Sequence, residues 1–330
     1  SPELRSARDA HVIADLWPSL ISIADADAFG TPSATTMAPM LALRIAGGYF
    51  MLRSMMFFFS PGTVLSVLNY PPPEESGWGK KAGPTPDEIK MVMLCFSYYS
   101  IVNGGIAALA LSSARAGDTY TQSLVAVGIG IVSLLISVGG YTGATSLGIE
   151  AGPAMYKLLI PTIVCGLGML FAGVPGALSG KPGKQPIKQS GKVMFGVACM
   201  AVLQGLNLVF GFANFAKEGF PEPHESTVKM MGMIFPMWGG VTVCSGLIRM
   251  AVVYAGNTES IYLVNRATVL YYAQLGGAMI MSKVLDLLDE KKLNIQMVFL
   301  MLYMGVSFFG GTVADDEATK KAAAAKEKVK

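Results

Sequence analysis

Four carboxamide side chains interrupt long apolar stretches of the sequence: Asn103, Gln204, Asn207 and Gln274. A carboxamide oxygen in an apolar environment can accept a hydrogen bond from a neighbouring helix. It can also be the axial ligand of the magnesium in a chlorophyll, because magnesium prefers oxygen donors, or it can line the path of a solute. The sequence leaves all three interpretations open, and we take these four residues as candidate pigment ligands.

Three arginines lie in similar apolar stretches: Arg44, Arg53 and Arg266. An arginine at the centre of a bilayer costs about 2.5–3.5 kcal/mol on the insertion scale, so each needs a physical reason. The side chain can snorkel to the headgroups, anchor an anionic lipid or a neighbouring subunit's carboxylate, or bind a substrate. Arg44 and Arg53 are nine residues apart, which predicts opposite faces of one helix. With Trp17, these arginines are the candidate contacts to lipid or to a protein partner.

Groups that could catalyse a reaction are scarce within the apolar stretches. No Asp or Glu is near the centre of any stretch, and the two histidines, His11 and His224, lie outside them. A haem would need inward-facing histidines, and no nucleotide-binding motif is present. We therefore expect no catalytic residue, haem, nucleotide or metal site, and a protein that is not an enzyme. The cysteines form no CxxC pair and are expected to be neither disulfide-bonded nor zinc-bound; they are Cys95, Cys165, Cys199 and Cys244.

The composition indicates which elements must carry these residues. Of the 330 residues, 52% are hydrophobic and 14% are charged, whereas soluble domains carry about 25% charged residues. With a net charge of +3, this excludes a nucleic-acid-binding protein. We expect an all-α membrane protein with about eight transmembrane helices, because each apolar run is close to the length that crosses about 30 Å of hydrocarbon. The runs are 37–59, 91–111, 124–141, 155–174, 193–215, 228–255, 261–281 and 295–311.

An internal repeat organises these runs. The sequence AGDT at 116–119 recurs as AGNT at 255–258, an offset of 139 residues, and other pairs match at the same offset. The pattern predicts two tandem parallel four-helix repeats, with both termini on one side of the membrane. An excess of Lys and Arg on that side predicts cytosol, stroma or matrix. The predicted segments are an amphipathic N-terminal arm at 1–36, repeat 1 at 37–176, a basic linker at 177–192, repeat 2 at 193–312 and a charged tail at 313–330.

These observations favour a non-catalytic accessory subunit of a large organellar membrane complex. The Met- and Ala-rich composition loosely resembles that of algal plastid and mitochondrial proteins, and the start at Ser1 is what a removed transit peptide would leave. We expect a photosystem or antenna assembly of the thylakoid. Its ligands would be neighbouring subunits, lipids and the candidate pigments chlorophyll and carotenoid. The alternatives are a small-solute transporter or channel, and an accessory subunit of a mitochondrial respiratory complex. A lipid-modifying enzyme using His224 is a weaker hypothesis.

Overall fold

The computed structural model describes residues 34–67, 70, 84–115, 118–146, 153–182, 189–219, 223–256, 259–269, 276 and 290–308. The predicted arm up to residue 33 with Trp17, the residue Gln274 and the tail at 313–330 lie outside this part of the chain. Contacts divide the chain into two units, Ser1–Met37 and Ala38–Lys330. Apart from the first four residues of the first helix, everything discussed below belongs to the second unit.

The described residues are almost entirely helical, and none of them lies in a strand. The helices are α1 (Ala34–Phe59), α2 (Pro61–Val67), α3 (Pro86–Arg115), α4 (Thr119–Ser146), α5 (Pro153–Ser179), α6 (Gln189–Gly219), α7 (Glu225–Ala255), α8 (259–269) and α9 (Glu290–Gly305).

Six of these helices contain a segment that is long and apolar enough to cross a membrane, so the chain is an integral membrane protein whose described part is helical. They coincide with the first six apolar runs. The seventh and eighth runs fall on α8 and α9, of which only part is described, and the total of eight spans stays a prediction. The segments are Ala38–Phe59, Pro86–Arg115, Thr119–Gly143, Leu159–Ser179, Ser190–Phe210 and Glu225–Ala255.

Close helix contacts are made at glycines, where two backbones approach without an intervening side chain. Between α6 and α7, a Cβ atom added to Gly205 would lie 2.6 Å from the carbonyl oxygen of Gly239. Between α4 and α5, a Cβ atom added to Gly173 would lie 2.7 Å from the carbonyl oxygen of Ser123. Both pairs of helices therefore pack with their backbones in contact.

Helix α3 is the most buried of the six membrane-crossing helices, and α1, α5 and α6 are the least buried. In the most apolar stretch of α3, 83% of the residues are buried, whereas the corresponding shares for α5 and α6 are 28% and 33%. Phe171 of α5 and Phe210 of α6 are 88% and 80% exposed. Large exposed apolar side chains are what a helix presents to lipid or to another membrane protein.

One carboxylate joins the first turns of α3 and α7. The Glu88 carboxylate accepts hydrogen bonds from the backbone N–H of Thr85 (2.6 Å) and from that of His224 (2.6 Å). In return, the backbone N–H of Glu88 donates to the Thr85 hydroxyl (3.3 Å), which completes a capping box. His224 is the N-cap of α7, and its Nδ1 accepts from the backbone N–H of Ser226. The two helices consequently start side by side.

Tyr70 is buried beside this junction, outside the six membrane-crossing segments. Its hydroxyl is hydrogen-bonded to the hydroxyl of Thr227 at 2.9 Å. Burial raises the pKa of Tyr70 to about 12. The negative charge of Glu88 also raises this pKa, whereas the hydrogen bond to Thr227 lowers it. The folded state therefore holds Tyr70 protonated at pH values where an unfolded tyrosine, with a pKa of about 10, ionises.

A raised pKa in the folded state predicts a loss of stability in alkali. The stabilising contribution is complete below about pH 10 and is lost as the pH rises towards 12. We expect the thermal unfolding midpoint of the wild-type protein in detergent to fall more between pH 9 and pH 11.5 than that of Tyr70→Phe. The exposed Tyr254 gives the control, Tyr254→Phe, which should behave as the wild type. Equal falls in wild type and Tyr70→Phe would contradict the prediction.

Candidate functional site

Arg53 is a cation buried inside a membrane-crossing helix. It lies six residues before Phe59, the end of the α1 segment, which places it about 9 Å inside that end at 1.5 Å per residue. The side chain is only 8% exposed. Its burial distinguishes it from a snorkelling arginine, whose charged end stays in water or among headgroups.

The partners of the Arg53 guanidinium are hydroxyl groups from three helices and an aromatic ring. Nη1 donates to the hydroxyls of Tyr49 (3.1 Å) and Thr162 (2.5 Å), which are also hydrogen-bonded to each other. Nη2 donates to the hydroxyl of Tyr99 at 3.4 Å. The guanidinium carbon lies 4.9 Å from the ring centroid of Phe57 on the same helix, within the range of a cation–π interaction.

These groups orient the Arg53 charge without neutralising it. The two ion pairs of the described part of the chain, Lys90–Asp87 and Lys229–Glu225, are exposed and do not involve Arg53. The Nε–H of Arg53 is buried and has no hydrogen-bond partner among the described residues. A buried charge is stabilised best by an opposite charge with satisfied hydrogen bonds. The arrangement is therefore chemically suited to an anion.

A small cavity lies beside Arg53, and a larger cavity shares two of its lining residues. The smaller has a volume of about 50 Å³, and Arg53, Phe57 and Tyr99 are among its lining residues. The larger, the apolar groove, has a volume of about 480 Å³. It lies between α4 and α7, with Val209 of α6 also at its lining, and is lined almost entirely by apolar side chains and glycines. Met233 and Met237 line both cavities. Arg53 therefore lines the small cavity, which is linked to the apolar groove through these two methionines.

The other two arginines are placed differently. Arg44 is exposed on α1, on the side of the helix away from Arg53, as the nine-residue spacing predicts. Arg266 is exposed on α8, with its guanidinium carbon 4.1 Å from the ring centroid of Tyr262. The structure therefore brings neither of them to the Arg53 site.

The candidate pigment ligands separate into an inner and an outer group. Asn103 is completely buried in α3, and its amide donates to the backbone oxygen of Tyr99, one turn earlier (2.8 Å). Gln204 and Asn207 are exposed and lie one turn apart on α6, within the membrane-crossing segment Ser190–Phe210. Gln274 lies outside the described residues. Only Gln204 and Asn207 are thus placed together on an outer face.

The residues that surround Arg53 were not predicted from the sequence. Tyr49 lies four residues before Arg53 on the same helix face, and this spacing was a usable signal. Tyr99 and Thr162 come from other helices and are brought to Arg53 only by tertiary packing. The capping box at Thr85 and Glu88 was also missed, although the T-x-x-E pattern before an apolar run is a known sign of a helix start.

A comparison of the chain with protein-family models, with curated proteins and with solved structures found no match.

Proposed function

We propose that the chain is a non-catalytic subunit of a larger membrane assembly and that its α6 face binds a neighbouring subunit or a pigment that the subunit carries. The observation that carries this proposal is the exposure of Gln204 and Asn207 within a membrane-crossing segment. Gln204 lies six residues before the end of that segment, about 9 Å inside it at 1.5 Å per residue. Polar side chains at such a depth need a partner.

An amide without a hydrogen-bond partner is costly in an apolar medium. A carboxamide transferred from water into an apolar medium without a hydrogen bond costs several kcal/mol, and in membranes such groups bond across helix interfaces. The surrounding α6 side chains Leu203, Leu206 and Phe210 are large, apolar and exposed. A face that combines apolar area with two aligned amides is suited to another transmembrane helix or to a chlorophyll ring whose magnesium takes an amide oxygen.

The proposal includes the predicted duplication of a four-helix unit. Helix α3 starts at Pro86 and α7 starts at Glu225, 139 residues apart, which is the offset of the sequence repeat. The membrane-crossing segments of α1 and α6 end at Phe59 and Phe210, 151 residues apart. The difference of 12 residues is the extra length of the loop that precedes α3.

Equivalent helix contacts support the same correspondence. At offsets of 151 and 139, Gly47 and Ala107 correspond to Ala198 and Gly246. A Cβ atom added to Gly47 would lie 3.5 Å from the carbonyl oxygen of Ala107, and one added to Gly246 would lie 2.8 Å from that of Ala198. An experimental structure in lipid in which α8 and α9 do not pack as α4 and α5 do would contradict the duplication.

The two proposed copies point in the same direction. Glu88 of α3 contacts His224 of α7, and Tyr98 of α3 stacks on Trp238 of α7 with ring centroids 5.3 Å apart. Both contacts join residues that are nearly the same number of positions apart in the sequence, as is expected for two parallel helices. An even number of helices in each copy produces this orientation, with the symmetry axis along the membrane normal.

Replacing the two amides is expected to weaken the assembly without unfolding the subunit. The Gln204→Leu/Asn207→Leu variant removes both polar groups from an exposed face, so its thermal stability in detergent should stay near that of the wild type. On a native gel after gentle extraction, the fraction of the chain in large complexes should fall several-fold. The matched control is Leu203→Met, an apolar exchange on the same helix. An undiminished large complex in the double variant would contradict the role of this face.

The organelle and the pigment are tested by an absorption spectrum of the same native band. The thylakoid proposal expects a large complex with chlorophyll and carotenoid absorbance. A large colourless complex would move the proposal to a respiratory-type assembly of the mitochondrial inner membrane. A small colourless species that moves solute in liposomes would replace the subunit proposal with a transporter.

A further inference from the structure

The strongest unexplained feature of the molecule is the pairing of the Arg53 cation with an apolar groove. A guanidinium has five N–H donors. The contacts with Tyr49 and Thr162 use both donors of Nη1, and the contact with Tyr99 uses one donor of Nη2. The donors that remain without a described partner are Nε–H and one N–H of Nη2. Nε and Nη2 form one edge of the guanidinium, and such an edge can bind a carboxylate with two parallel hydrogen bonds.

The small cavity limits the size of the anionic group. Its volume is about 50 Å³, and one water needs about 10–15 Å³ of such volume, so the cavity accommodates a few heavy atoms. A carboxylate has three heavy atoms. A phosphodiester carrying glycerol and two acyl chains is much larger than this cavity.

The length and the apolar lining of the groove indicate the chemistry of the rest of the ligand. Its lining extends along α4 from Val132 to Gly143, eleven residues or about 16 Å at 1.5 Å per residue. This length is close to half of the hydrocarbon thickness of about 30 Å, which is the reach of a single acyl chain in one leaflet. Leu135, which lines the groove, is 55% exposed, so the groove opens towards the lipid side of α4.

We propose that Arg53 and the groove between α4 and α7 form a binding site for one long-chain fatty acid. The carboxylate lies in the small cavity against Nε and Nη2 of Arg53, and the acyl chain lies in the larger cavity past Met233 and Met237. The ion pair forms in a low-dielectric environment, where an opposite charge is worth most to a buried cation. Neither cavity is lined by the exposed α6 residues of the proposed assembly face, so occupancy of this site does not depend on the proposed assembly.

The experiment measures binding of radiolabelled oleate to the purified, delipidated full chain in detergent. We expect saturable binding of one oleate per chain. The Arg53→Met variant should bind at least about tenfold more weakly, because it loses a charge-assisted bidentate contact. Arg53→Lys should recover part of the affinity. Arg266→Met, which removes an exposed arginine, is the control and should bind as the wild type does.

A second variant tests the groove independently of Arg53. Gly240 lines the groove, and a Cβ atom added there meets no atom within 4 Å. The substitution Gly240→Leu therefore fills space intended for the acyl chain without a clash in the helix packing, and we expect it to weaken oleate binding about tenfold or more. The matched control is Gly196→Leu, at an exposed glycine of α6 that is equally free of neighbours.

Competition experiments decide the chemistry of the ligand. Oleyl alcohol, with the same chain and no charge, and acetate, with the charge and no chain, should both compete weakly. Displacement of oleate by phosphatidylglycerol at equal concentration would overturn the fatty acid in favour of a phospholipid. Oleate binding that is unchanged in both Arg53→Met and Gly240→Leu would overturn the site itself. If Arg53→Met does not fold, Gly240→Leu and the oleyl alcohol comparison still decide the question.

Discussion

The Gly239→Ala variant is expected to be strongly destabilised, whereas Gly240→Ala, one residue further along α7, is expected to be nearly neutral. A Cβ atom at Gly239 would lie 2.5 Å from the carbonyl oxygen of Gly205 and 2.9 Å from the backbone nitrogen of Val209. Both opposing atoms belong to the backbone of α6, so the two helices must separate to admit a methyl group. The expected cost is about 3 kcal/mol, at the upper end of the range for overpacked cores.

The adjacent glycine makes this comparison unusually direct. A Cβ atom at Gly240 meets nothing within 4 Å, and alanine is the better helix former by about 1 kcal/mol. Unfolding midpoints of both variants in the same detergent would measure the difference. Equal midpoints would mean that α6 and α7 are not in backbone contact.

The second large effect is expected at Glu88, whose carboxylate is shared by the first turns of α3 and α7. Glu88→Ala removes the acceptor of two backbone N–H groups, those of Thr85 and His224. Hydrogen bonds to charged groups are worth about 1.5–3 kcal/mol each, and both part-buried donors would lose their acceptor. We expect a loss of roughly 3 kcal/mol, seen as a lower unfolding midpoint.

Glu225 provides the comparison for Glu88, because it is an acidic residue in the first turn of α7 with an exposed ion pair to Lys229. Exposed ion pairs contribute about 0–1 kcal/mol, so Glu225→Ala should cost far less than Glu88→Ala. Glu88→Gln should be intermediate, because an amide oxygen keeps one acceptor but carries no charge. Similar midpoints for Glu88→Ala and Glu225→Ala would contradict the proposed role of the junction.

The helices were predictable to the extent that hydrophobicity defines them. The run at 37–59 coincides with the segment Ala38–Phe59, because the apolar stretch and the membrane-crossing helix end together. Helix α3 begins at Pro86, five residues before the corresponding run at 91–111. Its first turn is polar and is stabilised by a capping box and by a proline at the first helical position. A prediction based on hydrophobicity alone omits polar first turns of this kind.

The Arg53 site was predictable only in part, because its parts come from different helices. The spacing of Arg44 and Arg53 predicts that one faces away from the other, but not which of them is buried. The identity of Thr162 and Tyr99 as partners depends on how α1 packs against α3 and α5, which no local pattern specifies. The outer position of Gln204 and the inner position of Asn103 likewise follow from the packing of α6 and α3.

Two methionine side chains line both cavities, and their flexibility makes the shape of the cavities adjustable. Met233 and Met237 line both spaces, and an unbranched thioether changes rotamer at low energetic cost. Flexible methionine side chains can adapt to acyl chains that differ in length or in the position of a double bond. Selectivity at the proposed site therefore rests on the charge of Arg53 rather than on the shape of the cavity. The sulfur atoms of these two methionines also make the site sensitive to oxidants, since a sulfoxide would introduce a polar group into the groove.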